Sequence, residues 1–218
     1  MDFHGTGPAP DRISSAEQNY WCEEDYFTSI LDSIGQLSHQ IPIEITFDDG
    51  NISDAVIALP ALVKRGLTAS FFVCAGRIGL SGYLDDSAMK DIVSAGMEIG
   101  SHGWEHVDWR RVDDKTLDLE IDEASKRIAD IVGCAIDKVS IPFGSYDRRV
   151  LRRLRRSEIK MVFTSDGGCA PLAGWLLPRE VVSKTSWDNR TLTEVVTHAF
   201  SMKATIRRSV VGLIKQLR

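Results

Sequence analysis

Strand-like and helix-like segments alternate along most of this 218-residue chain. Short apolar runs typical of strands occur at residues 1–4, 43–47, 68–75, 97–101, 138–141, 161–164 and 175–177. Amphipathic patterns typical of helices occur at residues 23–37, 52–65, 87–95, 116–132, 147–156, 191–200 and 205–217. Strands separated by helices pair in parallel, because each helix carries the chain back to the edge where the strand began. The pattern predicts an α/β fold, and we expect one barrel domain spanning residues 1–218.

One strand-like run ends in two adjacent carboxylates. Ile43, Ile45 and Phe47 alternate with polar residues, and Asp48 and Asp49 follow directly, before a glycine that lets the chain turn away. Like charges this close raise each other's pKa unless a cation lies between them. Three interpretations are open: a solvated Asp-Gly turn, a magnesium or phosphoryl-aspartate site, and a pair in which one aspartate binds a metal while the other acts as a base.

Two histidines follow a second strand-like run. His102 and His106 are four residues apart in Ser-His-Gly-Trp-Glu-His, directly after the run at residues 97–101. On one helical turn, side chains at this spacing face the same way, which suits two ligands of a Zn²⁺-like ion. Two surface histidines are the alternative interpretation. Because α/β barrels place their active sites at the C-terminal ends of strands, the position favours a site shared with the two aspartates.

A third strand-like run leads into the turn Pro142-Phe143-Gly144. A plain turn into the next helix explains these residues adequately. The functional interpretation is that a kinked backbone directs the Phe143 N–H at a developing oxyanion. Three aromatic residues beside the motifs, Trp104, Trp109 and Tyr146, are candidates for a wall on which a sugar ring stacks, with burial in the core as the alternative.

Taken together, Thr-Phe-Asp-Asp-Gly at residues 46–50, the His-x-x-x-His motif and Pro-Phe-Gly resemble the polysaccharide deacetylases of the NodB-homology family, carbohydrate esterase family 4. The resemblance runs from about residue 43 to residue 182. It implies a deformed (β/α) barrel of about seven strands, and metal-dependent removal of an acetyl group, N-acetyl being expected, from a sugar or glycan. Two alternatives are a non-catalytic sugar-binding barrel and a same-fold amidohydrolase that acts on a non-sugar amide or imide.

Matched residue by residue, the resemblance implies a role for each motif. Asp49, His102 and His106 correspond to the family's metal ligands, with zinc expected and cobalt or nickel as alternatives. Asp48 corresponds to the general base that takes a proton from the water acidified by the metal. The Phe143 N–H would share the oxyanion of the tetrahedral intermediate with the metal.

Two positions depart from the family pattern. The third motif usually carries an arginine where this sequence has Ser140, and Arg179, in Leu-Pro-Arg at a later strand end, is the candidate replacement that would tether Asp48. An arginine just past a strand is otherwise a surface charge. The late Leu-x-His motif that supplies the general acid is not evident. His4, at the end of the first predicted strand, and His198 are the candidates for that role, and we prefer His4.

Composition and charge indicate the partners and the compartment. The net charge of −5 at pH 7 argues against a nucleic-acid partner. The first residues lack the features of a signal peptide and the four cysteines form no C-x-x-C pair, so we expect a cytoplasmic protein with reduced thiols. No apolar run is long enough to span a membrane. Residues 202–218 form a basic amphipathic pattern, for which docking on the barrel is favoured over contact with an anionic membrane. The oligomeric state stays open.

Overall fold

Seven short strands form one parallel sheet in the computed structural model of the chain, which describes residues 1–170, 174–184, 191–199 and 215. In the order in which they pair, these strands are β1 (Asp2–Phe3), β4 (Thr46–Phe47), β5 (Ser70–Val73), β6 (Glu98–Ser101), β7 (Lys138–Ser140), β8 (Met161–Thr164) and β9 (Leu176–Pro178). A separate parallel pair joins β2 (Gly5–Thr6) to β3 (Trp21–Cys22). Because the seven strands of the main sheet run in parallel, their carboxyl ends meet at one mouth.

The first and last parts of the sheet meet and curl it into a barrel. Asp2 forms a parallel bridge with Val181, in which the Asp2 N–H donates to Glu180 O at 2.9 Å and the Val182 N–H donates to Asp2 O at 2.8 Å. This contact brings β1 beside the segment that follows β9. The predicted α/β deformed barrel of about seven strands is therefore confirmed.

Helices cover the outside of the sheet. They are α1 (Glu24–Leu37), α2 (Leu59–Lys64), α3 (Asp86–Ser94), α4 (Asp114–Asp118), α5 (Ala124–Val132), α6 (Arg148–Leu154) and α7 (Leu192–Ala199). Two π-helical stretches, Asp54–Ala58 and Leu119–Glu123, lead into α2 and α5. In the described part of the chain, no helix combines the length and the apolar character needed to cross a bilayer. The predicted helix at 205–217 and the predicted docking of residues 202–218 lie outside the described residues, apart from Lys215.

A row of phenylalanines sets the register beneath the mouth of the barrel. Phe3, Phe47 and Phe71 are partners on β1, β4 and β5, and their rings stack at 5.3 Å and 4.7 Å between centroids. Each such aromatic pair adds about 0.5–1.5 kcal/mol beyond the area that it buries. Because the register is fixed there, the next residues on β1 and β4, His4 and Asp48, also become neighbours, and the Asp48 N–H donates to Phe3 O at 2.8 Å.

Candidate active site

One carboxylate and two imidazoles meet at the mouth of the barrel. Asp49 follows β4, and His102 follows β6, with His106 in the loop beyond it. The Asp49 Oδ1 atom lies 3.5 Å from His106 Nε2 and 3.9 Å from His102 Nε2. One ligand atom from each of these residues lies within 4.8 Å of the other two. The structure thus brings together the three residues that the sequence motifs single out as metal ligands.

A main-chain carbonyl orients His102. Its ring is buried, and Nδ1 lies 2.9 Å from Ser140 O. Because a carbonyl oxygen can only accept, Nδ1 carries the proton, and Nε2 presents its lone pair towards Asp49. A hydrogen bond of this kind on the second ring nitrogen is what orients histidines that bind metals.

The donor set of these three residues fits a divalent ion. Burial, with His102 alongside, lowers the pKa of His106 to about 4, so the ring is neutral at pH 7. Burial raises the pKa of Asp49, but the histidines and Arg77 outweigh it and hold the pKa below its ordinary value. Ligands of a tetrahedral zinc ion lie about 3.3 Å apart, close to the spacing seen here. Three protein ligands leave a fourth position open, as in catalytic sites.

Asp48 forms a buried, bidentate ion pair with Arg179. Arg179 Nη1 donates to Asp48 Oδ1 at 2.8 Å, and Nη2 donates to Oδ2 at 2.7 Å. Burial raises the pKa of Asp48, but the charge and the hydrogen bonds of Arg179 outweigh burial, so this pKa stays well below its ordinary value. Asp48 is therefore ionised, and its Oδ2 lies 3.7 Å from His102 Nε2.

Arg179 also contacts three other side chains inside the barrel. Its Nη1 donates to Asp2 Oδ1 at 2.8 Å and to Thr46 Oγ1 at 2.9 Å, and its Nη2 donates to Ser140 Oγ at 2.7 Å. The Ser140 hydroxyl in turn donates to Asp48 Oδ2 at 2.8 Å. The small serine at the family's arginine position leaves room for Arg179 to reach Asp48 from β9. Burial raises the pKa of Asp2 to about 6, although Arg179 opposes the shift.

The two histidines do not lie on a helical turn, so the geometry assumed from their spacing is wrong. Residues 102–107 form a loop, and His106 has a φ of +57°. Asp49 and Phe143, with φ of +78° and +58°, are the other non-glycine residues with positive φ in the described part of the chain. Such conformations are unfavourable for residues with a side chain and persist where the surroundings enforce them, often at functional sites.

A buried carboxylate, Glu120, enforces the conformation of the histidine loop. Its Oε2 accepts from the Trp104 N–H at 2.9 Å and from Trp109 Nε1 at 3.1 Å, and its Oε1 accepts from the Glu105 N–H at 3.0 Å. Gly103 makes this approach possible, because a Cβ atom there would lie 2.4 Å from Oε2. Glu120 belongs to the π-helical stretch Leu119–Glu123, a distortion that often accompanies functional sites.

Replacing Glu120 with glutamine is expected to loosen this loop. The amide keeps one oxygen but turns an NH₂ group towards N–H donors, which leaves at least one donor unpaired. We expect the free energy of unfolding to fall by about 1–3 kcal/mol. Amide hydrogen exchange at Trp104 and Glu105 should accelerate more than in the sheet. Glu123→Gln, the same change at an exposed position of the same stretch, is the control. Unchanged exchange at Trp104 and Glu105 would contradict the role given to Glu120.

The other residues predicted for the substrate side lie in different environments. Phe143 is 63% exposed, and its ring lies 4.3 Å from that of His106, while Pro142 is buried beneath it. Trp104 is half-buried, with the Arg127 guanidinium over its ring. These positions place the Pro-Phe-Gly turn at the edge of the metal-ligand cluster.

Tyr146 has no open face for a sugar. Its ring is buried, its hydroxyl donates to Asp166 Oδ2 at 2.8 Å, and the Lys215 ammonium lies 4.8 Å from the ring centroid. Lys215 also donates to Gly144 O and forms an ion pair with Asp166. Burial within this group argues against the stacking role suggested by the sequence.

His4 lies beside Asp48. One ligand atom each of Asp2, His4 and Asp48 lies within 4.8 Å of the other two. The His4 Nδ1 atom is buried and has no hydrogen-bond partner among the described residues, and the ring lies 5.2 Å from that of Tyr20. His198 lies in α7, and its side chain is outside the described part of the structure.

The sequence motifs missed three residues that shape the site: Glu120, Asp2 and Arg77. A signal for Glu120 was present, because it falls on the apolar stripe of its helix between Leu117 and Ala124. Asp2 lies between apolar residues of a predicted strand, which is a weaker indication that its side chain is buried near the site. Arg77 lies in a glycine-rich loop, whose composition gives no indication of its contact with Asp49.

Comparisons with known proteins identify the family of this chain. Residues 38–162 match the family model described as polysaccharide deacetylase. YxkH of Bacillus subtilis, which is named as a polysaccharide deacetylase, is 27% identical over 126 residues, covering 58% of this chain and 45% of YxkH. The peptidoglycan-N-acetylglucosamine deacetylase PgdA of Listeria monocytogenes is 26% identical over 113 residues, covering 51% of this chain and 23% of PgdA. The matched region thus spans less than half the length of either relative.

Solved structures share the fold over most of the chain. The Streptococcus pyogenes deacetylase PplD in complex with acetate has a TM-score of 0.77 at 21% identity, covering 90% of this chain and 96% of PplD. IcaB from Ammonifex degensii has a TM-score of 0.71 at 20% identity, covering 92% of this chain and 95% of IcaB. At these identities the likeness shows the fold.

Proposed function

Because the chain belongs to the polysaccharide deacetylase family, we propose that it is a metal-dependent hydrolase that removes an acetyl group, N-acetyl being expected, from a sugar or glycan. One observation carries the proposal: the ionised carboxylate of Asp48, held by Arg179, lies beside a cluster of three ligand atoms on Asp49, His102 and His106. A base next to an open metal site is an arrangement suited to metal-assisted hydrolysis of an amide.

Different residues of this chain carry out the first step of hydrolysis. A divalent ion bound to Asp49, His102 and His106 would polarise the acetyl carbonyl and lower the pKa of a water molecule. Zinc is the expected ion, with cobalt or nickel as alternatives. Asp48 takes the proton from the water as the oxygen attacks the carbonyl carbon. Arg179 keeps that carboxylate ionised and oriented.

The later steps involve Phe143 and His4. The Phe143 N–H donates to the oxyanion of the tetrahedral intermediate, since the turn that carries it lies against His106. When the carbon–nitrogen bond breaks, protonated His4 gives its proton to the leaving amine and acetate departs. The proton that Asp48 took from the water then passes to His4, which restores both residues. Two observations support this role. His4 lies beside Asp48, and its Nδ1 atom has no hydrogen-bond partner among the described residues.

Two rival functions differ from this proposal in testable ways. A sugar-binding barrel without activity has no need for Asp48, so Asp48→Asn would leave its function unchanged. A hydrolase of non-sugar amides or imides would release product from simple amides and cyclic imides rather than from acetylated sugars. The cytoplasmic location and the extent of one domain over residues 1–218 stay predictions.

Metal content and acetate release test the proposal together. We expect about one equivalent of zinc, cobalt or nickel in the purified protein, and its loss from the double variant His102→Ala/His106→Ala. His39→Ala, a change at an exposed histidine beyond α1, is the matched control and should keep the metal. The metal-loaded protein should release acetate from acetylated glycans. Absence of metal from the wild-type protein after reconstitution would refute the hydrolytic mechanism.

A further inference from the structure

Two arginines from distant parts of the chain converge on the ring of Tyr83, and one of them, Arg77, contacts Asp49. Arg77 ends a short helical turn (Ala75–Arg77) after β5, and Arg12 lies in the segment between β2 and β3. Both guanidinium groups lie over the ring of Tyr83, at 4.7 Å from its centroid for Arg12 and 5.3 Å for Arg77. An aromatic face attracts a cation and holds a guanidinium in place without occupying its N–H donors.

Most N–H donors of these two side chains are unused within the described residues. The one side-chain hydrogen bond of Arg77 within the described residues joins Nη1 to Asp49 Oδ1 at 3.3 Å. Arg12 donates through Nη2 alone, to Asn51 Oδ1 at 2.9 Å and to Gly82 O at 2.8 Å. A guanidinium group carries five N–H donors. The Arg77 side chain is only 23% exposed, so its remaining donors are well placed for an acceptor that enters the site.

Among the described residues, Arg77 has one carboxylate within ion-pair distance, that of Asp49 at 3.3 Å. Its one carboxylate partner, Asp49, would be shared with a bound divalent ion, and Asp48 is already paired with Arg179. The Glu17 carboxylate acts on Arg77 at longer range, but it accepts from the N–H and the hydroxyl of Ser14, both at 2.8 Å. An anion carried by the substrate would accept from the N–H donors of Arg77 that have no partner among the described residues.

We propose that Arg77, assisted by Arg12, binds a carboxylate or phosphate on the glycan next to the acetylated sugar, so that the substrate is an acidic glycan. This inference rests on the proposed function, because it concerns the substrate of the same site. Acetate, the product of deacetylation, carries the same chemical group. The experiment therefore separates an anion on the glycan from product acetate.

The test compares two matched substrates. One is a neutral oligomer of N-acetylglucosamine, and the other is the same oligomer oxidised at C6 to carboxylates. The wild-type protein should prefer the oxidised oligomer by about tenfold or more in kcat/KM, the effect of one charge-assisted hydrogen bond. Arg77→Gln should remove most of this preference, and Arg12→Gln should remove part of it. High salt should weaken the wild-type preference, because it screens the attraction between the two arginines and the carboxylates of the oligomer.

Two controls separate this role from others. Arg65→Gln removes an arginine whose carboxylate partner, Asp32, lies on the outer surface, and it should leave the preference unchanged. If Arg77→Gln slowed both oligomers equally and weakened metal binding, Arg77 would only position Asp49. If that variant instead changed inhibition by acetate while the substrate preference stayed, the anion would be the product. Either result would overturn the proposal.

Binding measurements keep the inference distinct from the proposed function. Calorimetric titration of both oligomers into Asp48→Asn, a variant expected to lack turnover, reports affinity without hydrolysis. We expect tighter binding of the oxidised oligomer, and loss of the difference when Arg77→Gln is added. Failure of the wild-type protein to release acetate would refute the deacetylase, whereas equal affinity for the two oligomers would refute the role of Arg77.

Discussion

Asp48→Asn is expected to lower kcat for acetate release by about 10³-fold while the metal content stays at the wild-type level. The amide has nearly the shape of the carboxylate, and its oxygen can still accept from Arg179. It cannot take a proton from water, so the base is removed, and its NH₂ group leaves one donor of Arg179 or Ser140 unpaired. Steady-state kinetics and metal analysis on the same preparation measure the two quantities.

Two further variants complete this test. Asp49→Asn, at the neighbouring carboxylate, should lose metal and activity together, because that residue belongs to the ligand cluster. Ser140→Ala removes the hydroxyl that donates to Asp48 Oδ2 but leaves the base intact, so its kcat should fall far less than that of Asp48→Asn. Turnover by Asp48→Asn within tenfold of wild type would show that another group is the base. Loss of metal from it would show that Asp48 is a ligand.

Arg179→Met should cause the largest loss of stability, about 3–5 kcal/mol in the free energy of unfolding at pH 7. The arginine is only 4% exposed and pairs with two carboxylates, Asp2 and Asp48, that are themselves buried. Methionine fills a similar volume but leaves both charges without a cation. Arg65→Met, at a surface ion pair, is the matched control and should change stability much less. Urea denaturation gives both values.

The loss caused by Arg179→Met should shrink as the pH falls. In the wild-type protein the pKa of Asp48 lies below its unfolded value, so its contribution to stability is present above that value and is lost as pH falls through the folded pKa. Without Arg179, burial should raise the pKa of Asp48, and that of Asp2 above its present value of about 6. Protonation of Asp2 and Asp48 then removes the buried charges. The difference in the free energy of unfolding between Arg179→Met and wild type therefore becomes smaller below neutral pH. A difference that is constant between pH 7 and pH 4 would contradict this explanation.

Much of the fold could be predicted because burial leaves a local periodicity in the sequence. The helix pattern at residues 23–37 corresponds to α1, whose buried side chains are those of one apolar stripe. The strand at residues 161–164 has the predicted bounds. Of the predicted strand at residues 43–47, only Thr46–Phe47 forms a strand, because only these residues pair with β1 and β5.

The sequence by itself determined the residue types of the site and their places at strand ends. Asp48, Asp49 and the histidines were identifiable because a polar residue directly after a buried strand has few structural explanations. The tertiary structure decided how these side chains are held. Arg179 contacts Asp48, which lies 131 residues away in the sequence. Glu120 holds the loop that carries the histidines, which their four-residue spacing had suggested to be a helical turn. The partner of a buried charge depends on which elements the barrel brings together, and local sequence does not encode that geometry.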